Sequence, residues 1–503
     1  MTPTPEQIAA VEAFRTGSLR VNAYAAAAKT TTATLIARDQ DQRGARGLYL
    51  AFNKSIAAEA SQRFPGSVSC KTTHSLGFGP MIKRLGSAEK LTGSLNANAV
   101  GQAISVPALC ATIAGHPKLL SQREAATVVL DTVKRFCHSD SDEMGVRHLP
   151  RNGALDGLSD EDRVAMAQDV LPAAAALWKR MQSANDPLPC GFDGYLKLWA
   201  LGHPKLYADY VMLDEAQDSN SVILRLVAES GLKALYVGDK YQQIYSWRGA
   251  VNAMDRIETD ATAYLTQSFR FGTPIAEFAS RILRHLGAEK PLRGTTSIAS
   301  QVSVIADDSA KGGDRINDQV AILARTNIEL ISEYVFLLGK GQRPHIVGGT
   351  ADIERALKDV ISLQAGKPGV TPEFFGFSNW GEVTEFVESP GGASSNLKPL
   401  VRLTNAHKPD RLLSEVMRAA PDETTTKYCL STAHKAKGRE WDRVRLTEDF
   451  KVEGDAPGKL ASDEELRLFY VAATRAKHHL GVPAKYIKAL DNVASHEVQE
   501  ATA

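Results

Sequence analysis

Three observations predict a parallel α/β fold. Short apolar runs, Leu19 to Tyr24, Leu48 to Phe52, Tyr210 to Leu213, Ala234 to Val237 and Val320 to Ala324, each end in polar residues at a turn. Long helical stretches separate them, the alternation that parallel sheets require. The length of 503 residues corresponds to about three domains at roughly 150 residues each, enough to bury large cores without disulfide or metal staples. In open α/β sheets the chemistry collects at the carboxyl ends of strands, so the polar residues just after these runs are the first candidates for a site.

Along the chain, the texture turns helical between about 85 and 200. Ser159 followed by Asp162 reads as a helix start, and Val164, Ala167, Leu171, Ala174, Trp178 and Met181 recur at spacings of 3 and 4. That stripe reads as the packed face of an inserted helical subdomain, with Pro172 expected to kink it. Residues 306–318 read as a polar surface loop. Around 350–425, Pro368, Pro372, Pro390, Gly391 and Gly392 suggest a small, irregular insertion.

The 59 Lys+Arg against 58 Asp+Glu argue against both disorder and a protein that coats nucleic acid by bulk charge. Residues 1–100 nevertheless hold 12 Lys+Arg against 6 Asp+Glu, a local basic excess. Five cysteines without a C-x-x-C pair indicate neither a disulfide framework nor a zinc site, and read as reduced thiols. With no basic and apolar leader, and no apolar run near ~18 residues, a soluble, cytoplasmic protein without an export signal is expected.

The stretch Val21 to Thr32 follows a strand and opens a helix. There Lys29-Thr30 offers what a nucleotide phosphate needs: helix N-terminal amides, an ammonium, and a hydroxyl for Mg²⁺. Ala26 and Ala28 stand where a phosphate-binding loop uses glycine, and would cost roughly 1–2 kcal/mol each if the backbone must be left-handed. Taken alone, the stretch also fits an ordinary Ala-rich turn. Asp214-Glu215, delivered by the strand Val211 to Leu213, supplies one carboxylate to hold Mg²⁺ through water and one to position or deprotonate the attacking water. In Tyr236 to Ala250, Gln242 is a neutral donor suited to sensing a γ-phosphate, and Trp247 and Arg248 offer a stacking face and a cation for a nucleic-acid strand.

With these stretches, the chain resembles the UvrD/PcrA/Rep-type superfamily 1 DNA helicases, and most of all the F-box DNA helicase branch. The latter likeness rests on Ala51-Phe52-Asn53-Lys54-Ser55-Ile56, Cys70 to Ser75, and Phe192 to Trp199. The matches run from Thr4 to Lys477, with no F-box-like extension expected ahead of residue 4. The resemblance implies that Gln7, in Thr4-Pro5-Glu6-Gln7, reads the adenine edge. It places residues 25–31 (Ala25, Ala26, Ala27, Ala28, Lys29, Thr30, Thr31) around the phosphates, with Thr30 and Asp214 as Mg²⁺ ligands. In Gln267 to Arg270, Phe269 would stack on adenine and Arg270 would reach the γ-phosphate. In Ser431 to Asp442, His434 would touch DNA while Gly438 and Glu440 lie near the nucleotide. In Glu464 to Lys477, Arg475 would act as an arginine finger. Phe52, Asn53, Lys54, Thr73, His74, Trp247 and Arg248 form the expected single-strand track, although His74 fits a structural role equally well. His345 and the remaining histidines show no metal-ligand spacing.

The expectation is therefore an ATP- and Mg²⁺-dependent DNA helicase or translocase of 3′→5′ polarity. Two RecA-like motor domains, 1–80 with 200–262 and 263–345 with 425–490, would carry it. A helical insertion at 81–199, a smaller one at 346–424 and a tail at 491–503 complete the organisation. Expected partners are single-stranded DNA, single-strand/duplex junctions, and recombination or replication proteins, with a monomer acting and no membrane involved. Ala26 and Ala28 support a second reading, an ATPase-deficient DNA-binding protein that keeps the fold. A third is an interaction subunit of a larger defence or repair complex.

Overall fold

The computed structural model describes residues 2–113, 116–151, 155, 158–244, 253–305, 319–388, 397–454 and 459–491. Trp247, Arg248 and the expected 306–318 loop lie outside the described residues. In chain order the described strands are β1 (Leu19–Ala23), β2 (Gly47–Ala51), β3 (Val68–Thr72), β4 (Cys110–Ile113), β5 (His116–Leu119), β6 (Tyr210–Leu213), β7 (Lys233–Gly238), β8 (Ala261–Leu265), β9 (Gln301–Ile305), β10 (Val320–Ala324), β11 (His345–Ile346), β12 (Tyr428–Thr432), β13 (Trp441–Leu446) and β14 (Ala476–Pro483).

The apolar runs become strands because each can be buried on both faces. Every residue of β2, β6 and β10 is buried, the pattern of parallel strands covered by helices on both sides. One six-stranded sheet has the order β3-β2-β6-β7-β1-β8 and the second β11-β12-β10-β13-β14-β9. All their ladders are parallel. Leu19 lies opposite both Leu235 and Ala261, so β1 is flanked by β7 and β8, and β8 belongs to the first sheet through Leu265. The chain thus forms two parallel-sheet α/β units flanked by helices, as the sequence predicts. The strand starting at Leu19 ends one residue earlier than the apolar run, at Ala23.

Between β3 and β6 the chain is mainly helical, with its own apolar core that includes Val129, Phe136, Val170, Leu177 and Trp178. Ser159 caps the helix Asp160–Met181 by accepting from Asp162 N at 3.1 Å, and the helix continues through Pro172. Ala167, Ala174, Trp178 and Met181 of the expected stripe are buried, Val164 is exposed, and Met166 and Val170 widen the buried face. The antiparallel hairpin β4–β5 lies within this segment and was not expected. On the helix Gly191–Ala200, Lys197 Nζ is buried and donates to the carbonyls of Ser139 (2.7 Å) and Ser141 (2.5 Å). This lysine ties the helix to a neighbouring loop, and burial lowers it to about 8.

The segment around 350–425 corrects the expectation of irregular structure. It contains the helices Ala351–Gln364, Trp380–Glu388, Leu397–Ala406 and Pro409–Val416. Ile353, Leu357, Val360 and Leu363 form the buried face of the first, a 3.6-residue period. Pro368 and Pro372 fall between the first two of these helices, and Pro390, Gly391 and Gly392 lie outside the described residues. No helix among the described residues is long and apolar enough to cross a membrane.

Gly47 lies opposite Tyr210 in the β2–β6 ladder, and a Cβ there would come within 2.5 Å of the Tyr210 ring. Gly47→Ala is therefore expected to cost about 1–3 kcal/mol through overpacking, read as a lower urea midpoint with an unchanged m-value.

Candidate active site

The turn after β1 carries two alanines in the left-handed region, Ala26 at φ 57° and Ala28 at φ 56°. Glu215, after β6, has φ 50°. These are three of the four non-glycine residues with positive φ among the described residues, the fourth being His203, so backbone strain concentrates where two strand ends meet. Ala28 is the N-cap of α2, the helix Lys29–Gln42, and offers no side chain to its first amides. Uncapped N-terminal amides make such a turn an anion-binding cradle. The turn is held by Ala27 N donating to Tyr24 O (3.1 Å), Phe269 N to Ala26 O (3.0 Å), and Ala25 N to the Tyr470 hydroxyl (3.0 Å).

Opposite this turn, Lys29 Nζ contacts both Glu215 oxygens, at 2.7 and 2.8 Å. Burial works against the lysine charge, but Glu215 and Asp214 outweigh it and raise its pKa. Burial likewise pushes Glu215 up, yet Lys29 and Lys437 prevail and hold it at about 2. Asp214 moves the other way, raised by burial and by the adjacent Glu215 charge. It accepts from the Tyr49 hydroxyl and, at 2.9 Å, from Glu215 N. Asp239, at the end of β7, is raised by burial to about 6 and accepts from Gln242 Nε2 at 2.6 Å and Tyr241 N at 3.1 Å. Gln217 donates to Glu215 (2.5 Å) and Asp218 (3.2 Å), and accepts from Asp239 N (3.1 Å).

The second unit supplies the facing cations. Buried Arg475 donates to Gln242 Oε1 at 3.2 Å and to Val471 O at 2.8 Å; burial and nearby Arg270 lower it to about 9. Arg270 donates to Glu440 at 2.7 Å and to Thr474 O at 3.0 Å. Glu440 also pairs with Lys477 at 3.2 Å. Lys437 Nζ reaches both Asp218 oxygens, at 2.5 and 2.7 Å, and Gln242 O at 2.6 Å.

Lys29, Asp214, Glu215, Gln242 and Arg475 thus converge on one cleft, with Arg270 beside Arg475. Thr30 and Thr31 lie in the first turn of α2, where Thr31 is exposed. Gly438, at φ 82°, makes the left-handed turn before β13. Gln7 is buried at the start of α1, the helix Pro5–Thr16. Its Oε1 accepts from Thr4 N and its Nε2 donates to Thr32 Oγ1, both at 3.0 Å. That role ties α1 to α2.

The expected track residues fare differently. Phe52 is 54 % exposed and Lys54 is exposed at the carboxyl end of β2. Asn53 uses its side chain to cap the helix Lys54–Arg63, accepting from Ile56 N at 2.9 Å. Thr73 is only 5 % exposed, in the first turn of the helix Thr73–Leu85. The His74 ring meets Phe192 and Tyr195 edge-on, and its Nε2 is 3.8 Å from Asp193, which also pairs with His138 at 3.0 Å. His434 is partly buried in the first turn of the helix Ala433–Ala436, and burial lowers its pKa.

Tyr49, Gln217, Asp218, Asp239, Lys437 and Tyr470 are the site residues that motif reading missed. Gln217, Asp218, Asp239 and Lys437 lie one to three positions from motif residues, and Tyr470 lies five before Arg475. Tyr49 read as core because it occupies an apolar strand.

The donor set fits Mg²⁺ and polyphosphate. Asp214, Glu215, Asp218 and Asp239 crowd the cleft against the ammonium groups of Lys29 and Lys437, leaving room for added positive charge. Among the described residues no group of three or more His, Cys, Asp or Glu forms a metal cage. Mg²⁺ needs none when one carboxylate, a hydroxyl, phosphates and water complete its shell.

Residues 202–261 match the UvrD/REP helicase N-terminal domain and 384–485 the UvrD-like helicase C-terminal domain. The chain is 28% identical to F-box DNA helicase 1 of Gallus gallus, over 91% of this chain and 46% of that protein. It is 28% identical to F-box DNA helicase protein 1 of Schizosaccharomyces pombe, over 92% and 55%. ATP-dependent DNA helicase PcrA of Bacillus subtilis is 28% identical over 30% of this chain and 24% of its own. The chain spans about half the length of the two F-box relatives.

Ala26→Gly and Ala28→Gly are each expected to stabilise the protein by about 1 kcal/mol, as left-handed strain is relieved and part of the gain is returned in unfolded-state entropy. Urea unfolding of the single variants reads this. Asp239 binds its proton more tightly folded, at about 6, than at its ordinary 3.8. Its contribution is therefore fully present below about pH 4 and is lost as pH rises through 6. Asp239→Asn should flatten that segment of the stability profile, whatever constant offset the substitution adds.

Proposed function

We propose that this chain, which carries both UvrD-like helicase domains, is an ATP-dependent DNA helicase or translocase that moves 3′→5′ on single-stranded DNA. The observation carrying this reading is that Arg475, from the second unit, reaches Gln242 of the first across the cleft that holds Lys29, Asp214 and Glu215. ATP with Mg²⁺ supplies the phosphoryl group and the charge that develops on its oxygens. Lys29 and the α2 amides bind that charge, Asp214 and Thr30 hold the metal side, and Glu215 takes the proton of the attacking water. Arg475 and Arg270 add positive charge only when the two units are together, which makes turnover conditional on closure.

Phe52 and Lys54 give the first unit an exposed ring and a cation, a sequence-tolerant grip worth roughly 1–3 kcal/mol per stacked base. Single-strand/duplex junctions are the proposed substrate, recombination or replication proteins the proposed partners, and a monomer in the cytoplasm the proposed acting form. The second reading, a DNA-binding protein that does not hydrolyse ATP, is favoured by the left-handed Ala26 and Ala28, whose methyl groups crowd the phosphate cradle.

The test is ATP hydrolysis with and without single-stranded DNA, for this chain beside the Ala26→Gly, Ala28→Gly double variant. Stimulated turnover in the parent chain, raised further in the variant, is expected. Turnover in the variant alone would establish the second reading, and turnover in neither would end the enzymatic one. Strand displacement on 3′- and 5′-tailed duplexes reads polarity, and a preference for the 5′ tail would refute it.

A further inference from the structure

Glu215 has two side-chain partners with opposite fates. Lys29 is one, at 2.7 Å, and it is also the ammonium placed to meet phosphate. When phosphate claims it, Glu215 keeps Gln217 Nε2, at 2.5 Å, as its hold.

Gln217 is fully buried and its amide has one sensible orientation. Its oxygen faces the Asp239 N–H (3.1 Å) and its nitrogen faces two carboxylates, Glu215 and Asp218 (3.2 Å). Asp218 has a side chain only 5 % exposed, and Lys437 of the second unit neutralises it. All three Nζ protons of Lys437 have acceptors: both Asp218 oxygens and Gln242 O. The chain of contacts therefore runs from the second unit, through Lys437, Asp218 and Gln217, to Glu215. Gly238 confirms how closely Gln217 is fitted, since a Cβ at 238 would overlap Gln217 Oε1.

We propose that Lys437 is a positioning residue: it fixes Asp218 and through it the Gln217 amide, so that Glu215 stays aimed after Lys29 turns to phosphate. This rests on the proposed ATPase function and adds a second route by which the second unit controls hydrolysis, separate from its arginines. Lys437 also acts on Glu215 directly through its charge, but its hydrogen bonds to Asp218 and Gln242 O make it a positioning group that does not itself touch the reacting atoms.

In the full-length chain, Lys437→Met is expected to lower kcat about tenfold while the KM for ATP stays within about twofold, the signature of lost transition-state alignment with binding retained. Asp218→Asn should do the same, and the double variant should be no slower than the slower single, because both changes cut one path. The double variant also removes the buried unpaired carboxylate that Lys437→Met leaves behind, which guards against a simple folding defect. Gly238→Ala, which disturbs Gln217 from within the first unit, should again lower kcat rather than raise KM. Hydrogen exchange supplies a readout independent of turnover: in Lys437→Met, amides at 215–218 should exchange faster although the substitution lies in the other unit. Additive losses, a rise in KM with kcat kept, or faster exchange confined to 433–441 would each overturn the proposal. If the parent chain shows no turnover, the function reading falls and the exchange measurement alone decides whether Lys437 holds this path.

Discussion

Too many carboxylates share one buried cleft, and the rest of the site is arranged around that excess. Asp214, Glu215, Asp218 and Asp239 arrive there because β6 and β7 end at the same edge of the sheet, and a strand's carboxyl end is where side chains can leave the core. Buried negative charge is tolerated only when paired. Lys29 supplies one counter-charge from the neighbouring turn, and Tyr49 and Gln217 supply neutral donors. The pKa pattern records what is left over: Glu215 is held down by two lysines, while Asp214 and Asp239, less well served, are pushed up. A site in this condition has a physical use for a divalent cation.

The same excess explains the junction between the two units. Partly buried Lys437 and buried Arg475 are cations that cross to the first unit, and Tyr470 crosses with them to meet Ala25 N and, at 3.4 Å, Asp239. Arg475 is held partly by Val471 O of its own unit; acceptors across the cleft complete its set and serve Lys437 and Tyr470 as well, so the association of the units and the neutralisation of the carboxylates are coupled.

Much of this was legible in the sequence, for identifiable reasons. Strands buried on both faces announce themselves as apolar runs, and Lys29, Asp214, Glu215, Gln242 and Arg475 sit in stretches whose order is informative. The backbone of Ala26 and Ala28 could be posed as a condition but not read, since alanine says nothing about the sign of φ. Lys437 and Gln217 were hidden because a lysine or glutamine in a polar stretch reads as surface until a partner from a distant segment is known. The helix Ala351–Gln364 was overlooked for a simpler reason: glycine and proline in its connectors dominated the local composition.

The turn after β1 is bonded at two successive residues to groups from beyond the first sheet: Ala25 N to Tyr470, and Ala26 O to Phe269 N. An opening of the cleft that breaks these bonds frees the turn to leave the left-handed region. The conformational penalty of Ala26 and Ala28, about 1–2 kcal/mol each, then counts against the closed arrangement. Each such increment shifts a two-state population by a factor of roughly 5–30. The left-handed alanines thus carry a conformational cost in the bonded arrangement that glycines in the same places would not.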